Sequence, residues 1–292
     1  MSTETTLSFS VVIPTLGRSE SLQKTLESVL GCDPAPTEIL VVDGDGSSFG
    51  DIHDAKLRVT CVACERGLTR QRNHGMRVAS GDVVVFLDDD VVVPPDAFGM
   101  LADSYGDPGV VGATGRVIEP TAGRVLTKEG RIRRFLIGGG AEGGFTRFGY
   151  PRRAVDPDRP RAVEFMQGCF MSARLDAARE VGFDESLPGY ALAEDEDFSF
   201  RLSRKGELRY DPRIVIVHMN MGFLSKDQRA FGRDVVVNRT YLFRKNFEQT
   251  PLARVQFCLF IGMLFVHRAI NREWAGMRGL LDGSLMAWRS RR

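Results

Sequence analysis

Three short apolar runs each stop on a residue able to bind a ligand. Val11-Val12-Ile13 leads into Thr15, Glu38–Val42 (EILVV) into Asp43, and Val83–Leu87 (VVVFL) into Asp88-Asp89-Asp90. Unbroken β-branched runs of this length suit strands buried on both faces, which is the condition of parallel strands covered by helices. A further run, Leu57–Val62, has the same character.

Helical patterns alternate with these strands. Ser19–Leu30 places Leu22, Leu26, Val29 and Leu30 on one face, and Gly31 follows as a stop. Leu68–Ser80 carries Leu68, Met76 and Ala79 on one stripe, and Pro94-Pro95-Asp96 opens another helix. The β-α-β-α order predicts an α/β fold with a mostly parallel sheet and helices on both faces. Ligands of such sheets sit at the carboxyl ends of the strands, where Thr15, Asp43 and Asp88–Asp90 would converge.

The second half departs from this rhythm. Residues 118–161 are rich in Arg and Gly and have little periodicity, as a functional or a disordered segment would. Beyond them the pattern predicts a strand over Ala162–Met171 and a helix over Arg174–Val181. A second helix opens at Glu194, and a strand over Arg213–Val217 ends at His218. From Phe223 onward the chain reads as helical. The expected organisation is a catalytic domain over 1–220, divided at 115/116, and a C-terminal helical region over 221–292.

Charge follows the same division. Residues 1–115 carry 8 Lys/Arg against 17 Asp/Glu, whereas residues 221–292 carry 13 against 5. No nucleic-acid-binding module accompanies the basic segments, so a nucleic-acid partner is not expected. The five cysteines are scattered, and Cys61–Cys64 lacks the second pair that a zinc site requires, so small apolar fillers are expected. The opening MSTETT has no basic segment, so Leu7–Leu16 is expected to be a strand rather than a signal peptide, and the chain cytoplasmic.

Three features carry chemistry. Adjacent carboxylates at Asp88–Asp90 repel unless a cation neutralises them, and Mn²⁺ or Mg²⁺ suits oxygen ligands beside phosphate. Glu194-Asp195-Glu196-Asp197 exceeds what a helix N-terminus needs, so one carboxylate there could serve as a general base, with Asp195 and Asp197 as rivals. His218, at a strand end, suits either a structural role or metal ligation through a neutral ring nitrogen.

In this order, VVIPTLGR (Val11–Arg18), EILVVDGDGS (Glu38–Ser47) and GLTRQRNHGMRVASGDVVVFLDDD (Gly67–Asp90) resemble glycosyltransferase family 2, of the GT-A fold. The likeness resumes at QGCFMSARLDAAREVGFDES (Gln167–Ser186) and AEDEDFSFRLSRKG (Ala193–Gly206), and so covers roughly residues 8–220. The resemblance implies an inverting transferase that moves a sugar from a nucleotide-diphosphate donor, UDP foremost, to an acceptor hydroxyl. It implies that Pro14, Thr15 and Arg18 line the nucleotide and that Asp43 meets the base. Arg70 and Arg72 would lie near the pyrophosphate, and Asp88 and Asp89 against the nucleotide. Asp88 and Asp90 form the Asp-X-Asp metal pair, with His218 as a further ligand. Asp195, directly after Glu194, becomes the catalytic base and Glu194 its support. The usual VVDDGS is VVDGDGSS here, with Gly44 between Asp43 and Asp45.

The expected acceptor is a saccharide or lipid-linked saccharide in glycan or cell-envelope polysaccharide assembly. A sugar nucleotidyltransferase and an inactive nucleotide-binding partner are the rival readings. PTLGRSE is a poor version of the phosphate loop that the first would need, and the intact acidic set argues against the second. Residues 255–266 (VQFCLFIGMLFV) are too few to span a bilayer, which takes about 20 residues. They suit either a helix packed on the catalytic domain or a peripheral membrane contact through 251–292 on the inner face of the membrane.

Overall fold

The computed structural model describes residues 7–17, 19–45, 53–54, 57–119, 139–152, 158–187, 191–219 and 227–289. The first half is built from β1 (Phe9–Thr15), α1 (Ser19–Leu30), β2 (Glu38–Asp43), β3 (His53–Asp54), β4 (Leu57–Ala63), α2 (Leu68–Val78), β5 (Val83–Leu87), β6 (Val91–Val92) and α3 (Ala97–Tyr105). The second half adds β7 (Val110–Ile118), β8 (Arg161–Val163), β9 (Phe170–Arg174), α4 (Leu175–Val181), α5 (Glu194–Leu202) and β10 (Glu207–His218). Three long helices close the chain: α6 (Gln228–Asn246), α7 (Pro251–Ile270) and α8 (Trp274–Arg289).

The strands form one sheet of ten, in the order β3-β4-β2-β1-β5-β9-β7-β10-β6, with β8 pairing on β10. Parallel pairing runs through β4-β2-β1-β5 and again between β7 and β10. Between these blocks β9 runs antiparallel to both β5 and β7. Alternate residues of each strand point to opposite faces, and the core divides accordingly. Val11 and Ile13 pack with Leu22, Leu26 and Val29 of α1 and with Phe98 and Leu101 of α3. Val12, Val84 and Phe86 pack on the other face with Met76 of α2, Ala178 of α4 and Phe198 of α5. Full burial of each such side chain is worth about 1.5–3 kcal/mol.

Two expectations need correction. The single strand expected over Ala162–Met171 is two strands, β8 on β10 and β9 between β5 and β7. Residues 164–169 leave the ladder because the Gly168 peptide is held by side chains from two other elements, as described below. The strand expected at Arg213–Val217 is the end of a longer one, β10, whose register with β7 slips between Asp211 and Val215.

Within the Arg/Gly-rich stretch 118–161, the described segment 139–152 is a folded turn. Phe145 bridges Pro151, and Gly140, Gly143 and Gly149 take positive φ. Phe148 of this turn packs with Phe243 of α6 and with Ala253 and Phe260 of α7. This contact ties the C-terminal helices to the part of the chain that builds the sheet. Against α6 lies α8, and their backbones approach closely: a Cβ on Gly279 would sit 2.0 Å from the Arg229 carbonyl oxygen.

Candidate active site

The carboxyl ends of β1, β2 and β5 form one acidic rim. Thr15 and Asp43 are register partners across β1 and β2. The Thr15 hydroxyl donates to Asp89 Oδ2 at 2.7 Å, which ties the end of β1 to the acidic run after β5. Asp43 is buried, and its Oδ1 accepts from the Asp45 backbone N–H at 2.8 Å. The inserted Gly44 fits against Leu16 and Gln71, where a Cβ would come within 2.9 Å and 3.0 Å of side-chain atoms. Buried Gln71 donates through Nε2 to the carbonyls of Thr15 (2.8 Å) and Val42 (2.7 Å). Pro14 sits on the same buried edge, opposite Val42. Arg18 lies outside the described residues.

Asp88, Asp90 and His218 each offer one ligand atom, and the three atoms lie within 4.8 Å of one another. The short antiparallel pairing of β6 with β10 sets Val91 opposite His218 and so brings the ring to Asp90. His218 Nε2 is 3.1 Å from Asp90 Oδ1. Its buried Nδ1 has no hydrogen-bond partner among the described residues and lies 3.9 Å from Glu119 Oε1. Burial pulls the His218 pKa down, but Asp90, Asp88 and Glu119 outweigh it, and the net shift is upward. Burial raises the Asp88 carboxyl; Arg72 opposes the rise and Asp90 adds to it. Crowded carboxylates with an imidazole at this spacing are a donor set that a small divalent cation fits.

Arg72, 1% exposed, is the hub of the site. Nη1 donates to Glu194 at 2.8 Å, and Nη2 donates to Asp88 at 3.0 Å and to the Gly168 carbonyl at 2.8 Å. Its guanidinium also lies over the Phe183 ring, 5.3 Å from the centroid. Arg70, two residues earlier and so on the opposite, exposed side of α2, pairs instead with Glu65 at 3.1 Å and approaches Glu185 at 3.9 Å.

The four acids opening α5 have four different environments. Glu194 is buried against Arg72; burial raises its carboxyl, Asp195 adds to the rise, and Arg72 opposes it. Glu196 makes two hydrogen bonds to Arg239 of α6, which stacks on Tyr150. Asp197 is buried among Arg201 (2.6 Å), Lys245 (2.9 Å) and Asn246 (2.8 Å). Asp195 alone of the four has no cationic partner among the described residues. Its Oδ2 accepts the Gly168 N–H at 2.9 Å, and its Oδ1 accepts the Glu196 N–H at 2.9 Å. The Gly168 peptide therefore joins Asp195 through its N–H and Arg72 through its carbonyl. A side chain there would crowd Asp195, since a Cβ would lie 3.1 Å from its Oδ2.

Gln71, Glu119 and Gly168 were not among the expected site residues. Gln71 and Gly168 lie within the matching segments, but nothing local marks either as buried against a strand end or a carboxylate. Glu119 follows directly on β7, as Asp88 follows on β5, a signal of the same kind but a single one.

The ten-strand mixed sheet with helices on both faces is the GT-A fold. Solved structures that share it include TarS 1-349 of Staphylococcus aureus, at TM-score 0.57 and 15% identity, covering 91% of this chain and 73% of that one. The mannosyltransferase PcManGT of Pyrobaculum calidifontis, in complex with GDP-Man and Mn²⁺, matches at TM-score 0.56 and 16% identity over 98% of this chain and 88% of that one. Within this fold the family model described as Glycosyl transferase family 2 matches residues 10–182, and the chain belongs to that family. Curated relatives include a glucosyl-dolichyl phosphate glucuronosyltransferase of Haloferax volcanii, 38% identical over 37% of this chain and 38% of its own length. A poly-beta-1,6-N-acetyl-D-glucosamine synthase of Staphylococcus epidermidis is 27% identical over 70% of this chain and 48% of its own. The chain thus spans less than half the length of these two relatives.

Proposed function

We propose that the chain transfers a sugar from a nucleoside-diphosphate donor, UDP foremost, to an acceptor hydroxyl, with Asp195 as the base and inversion at the anomeric carbon. The observation that carries this reading is the state of the α5 acids: three are held by Arg72, Arg239, Arg201 and Lys245, whereas among the described residues Asp195 is held by backbone N–H groups and has no cationic partner. A carboxylate so oriented can accept a proton from an attacking hydroxyl. No second carboxylate is assigned to attack the sugar, so single displacement follows.

Asp88, Asp90 and His218 would hold the divalent cation, Mn²⁺ or Mg²⁺. When bound it supplies positive charge beside the donor's diphosphate. Asp43 would accept the N3–H of a uracil, and Pro14, Thr15 and Asp89 would line the nucleotide beside it. We assign a diphosphate contact to Arg70 and, with Pro14 and Thr15, a nucleotide contact to Arg18. Arg72, enclosed by Glu194, Asp88 and the Gly168 carbonyl, becomes a positioning residue that fixes α5 relative to the Asp88–Asp90 run. The acceptor is assigned as a saccharide or lipid-linked saccharide, on the cytoplasmic side of an envelope-glycan pathway. What supports this is the naming of relatives as a dolichyl-phosphate sugar transferase and a polysaccharide synthase.

The test is a panel of nucleotide-sugars with Mn²⁺, following the released nucleotide and the product's anomeric configuration. Release of a nucleoside diphosphate with inverted configuration is expected. Formation of nucleoside triphosphate and sugar 1-phosphate from the same donors, only when pyrophosphate is added, would instead indicate a nucleotidyltransferase, and a retained configuration would remove Asp195 from the role of sole base.

A further inference from the structure

The outer face of α7 is inverted relative to an ordinary surface helix. Ala253, Gln256 and Phe260 are buried, and Phe260 packs on Phe148 and Tyr150. The opposite face presents Leu252, Val255, Leu259, Met263, Val266 and Ile270, spaced three or four residues apart along one stripe. Val255 is 57% exposed, Val266 59% and Ile270 76%. Between Arg254 and His267 no residue of α7 carries a charge, and the buried Gln256 is the one amide. Water is a poor solvent for a continuous apolar stripe about 30 Å long, the length of a 20-residue helix.

Charge identifies the occupant. Residues 251–292 contain seven arginines against two acids, Glu273 and Asp282. Arg254 stands at one end of the stripe and Arg272 just past the other, both exposed, and Arg278 and Arg289 are exposed on α8. The side of α8 turned away from α6 adds exposed Leu281, Leu285 and Trp288, and Trp274 is exposed at its start. An apolar stripe framed by arginines and tryptophans matches the acyl–headgroup boundary of an anionic bilayer. A second copy of the chain would bring a like-charged face against this one, which electrostatics opposes. By length and composition α7 could also cross a membrane. Its packing on Phe148, Phe243 and Tyr150 fixes it along the catalytic half instead.

We propose that α7 and α8 form a docking surface for an anionic lipid bilayer, with α7 lying in the plane of the interface. The surface is joined to the active site: Phe260 of α7 packs on Tyr150, Tyr150 stacks with Arg239, and Arg239 holds Glu196, the residue after Asp195. The docking stands independently of the transfer chemistry, and either can fail alone.

Co-sedimentation of the full chain with phosphatidylserine–phosphatidylcholine vesicles, at low and high salt, tests the proposal, with pure phosphatidylcholine vesicles as reference. Binding to the anionic vesicles that weakens with salt is expected. Val255→Glu/Val266→Glu should reduce it on the order of tenfold or more, and Arg272→Glu/Arg278→Glu by a similar factor with loss of the salt response. All four positions are exposed, so each variant should melt like the parent. Absence of binding by the folded parent, or binding unchanged in both variants, overturns the proposal. So does a parent dimer by light scattering that Val255→Glu/Val266→Glu dissolves, with no vesicle binding, since the face would then be a contact between copies.

Discussion

At the scale of single residues the site depends on one buried cation. Arg72 compensates two carboxylates and a carbonyl in an enclosed space, and deleting it strands Glu194 as a buried charge. Arg72→Ala should cost about 3–5 kcal/mol, read from denaturant melts, the range for breaking a buried pair. Arg72→Lys should recover little, because an ammonium cannot reproduce a fork that meets Glu194 and Asp88 at once. A variant as stable as the parent would show that Glu194 is already neutral without its partner. The acids themselves were legible in the sequence, since three adjacent aspartates after a buried strand are hard to explain otherwise. The role of Arg72 was not. In the sequence it is one polar residue of a polar helix, and only the meeting of α2 with Glu194, Asp88 and Gly168 from distant parts of the chain encloses it. The resemblance already favours Asp195 over Asp197, but the Lys245 and Asn246 contacts that occupy Asp197 come from α6, over forty residues later, and leave no mark in the sequence.

At the scale of elements, strands with an unbroken apolar run were legible and their interruptions were not. Residues 162–171 are mostly apolar, with Glu164 and Gln167 the exceptions, yet the ladder breaks where the Gly168 backbone is drawn to Asp195 and Arg72. That cause lies in other elements and leaves no local mark. The contact of α6 with the catalytic half has a pH signature. Asp184 accepts from Lys245 and Tyr241 of α6 and from Ser186. Burial would raise its pKa, but these hydrogen bonds outweigh it and hold the carboxyl far below the usual range. A carboxyl depressed on folding adds stability above its unfolded pKa, near 3.8, and loses it as pH falls through the folded value. Thermal melts of Asp184→Asn should therefore fall below the parent at neutral pH and converge with it in acid. A constant difference at all pH values would assign the loss to geometry alone. The α6–α8 pair is held by close backbone approach, so Gly279→Leu should force the helices apart. The expected loss is about 1–3 kcal/mol by denaturant melt, with the catalytic half intact.

At the scale of the whole molecule, the fold class was legible because the alternation of apolar runs and helical faces extends through the first 115 residues. The antiparallel insertion of β9 was not, since a strand's direction is set by the connection that delivers it. The acidic rim and the basic C-terminal region give the molecule two faces of opposite sign, one suited to a divalent cation and the other to an anionic surface. If the rim holds a cation and a nucleoside diphosphate together, both will stabilise the native state by mass action. About 2.7 kcal/mol is expected at a ligand concentration one hundred times its dissociation constant. The melting temperature should rise more with Mn²⁺ and UDP together than the sum of either alone, and Asp90→Asn should remove the joint rise. Additive shifts, or shifts indifferent to Asp90, would mean that nucleotide and cation occupy separate places.

Asp195→Asn tests the central claim most directly, assayed for sugar transfer and for UDP binding with Mn²⁺ on the same preparation. The substitution keeps the side chain's shape and its Oδ acceptor toward Gly168 while removing its basicity. The account predicts transfer lost by several orders of magnitude with nucleotide affinity unchanged. Transfer that persists, or affinity that falls in step with transfer, would contradict it.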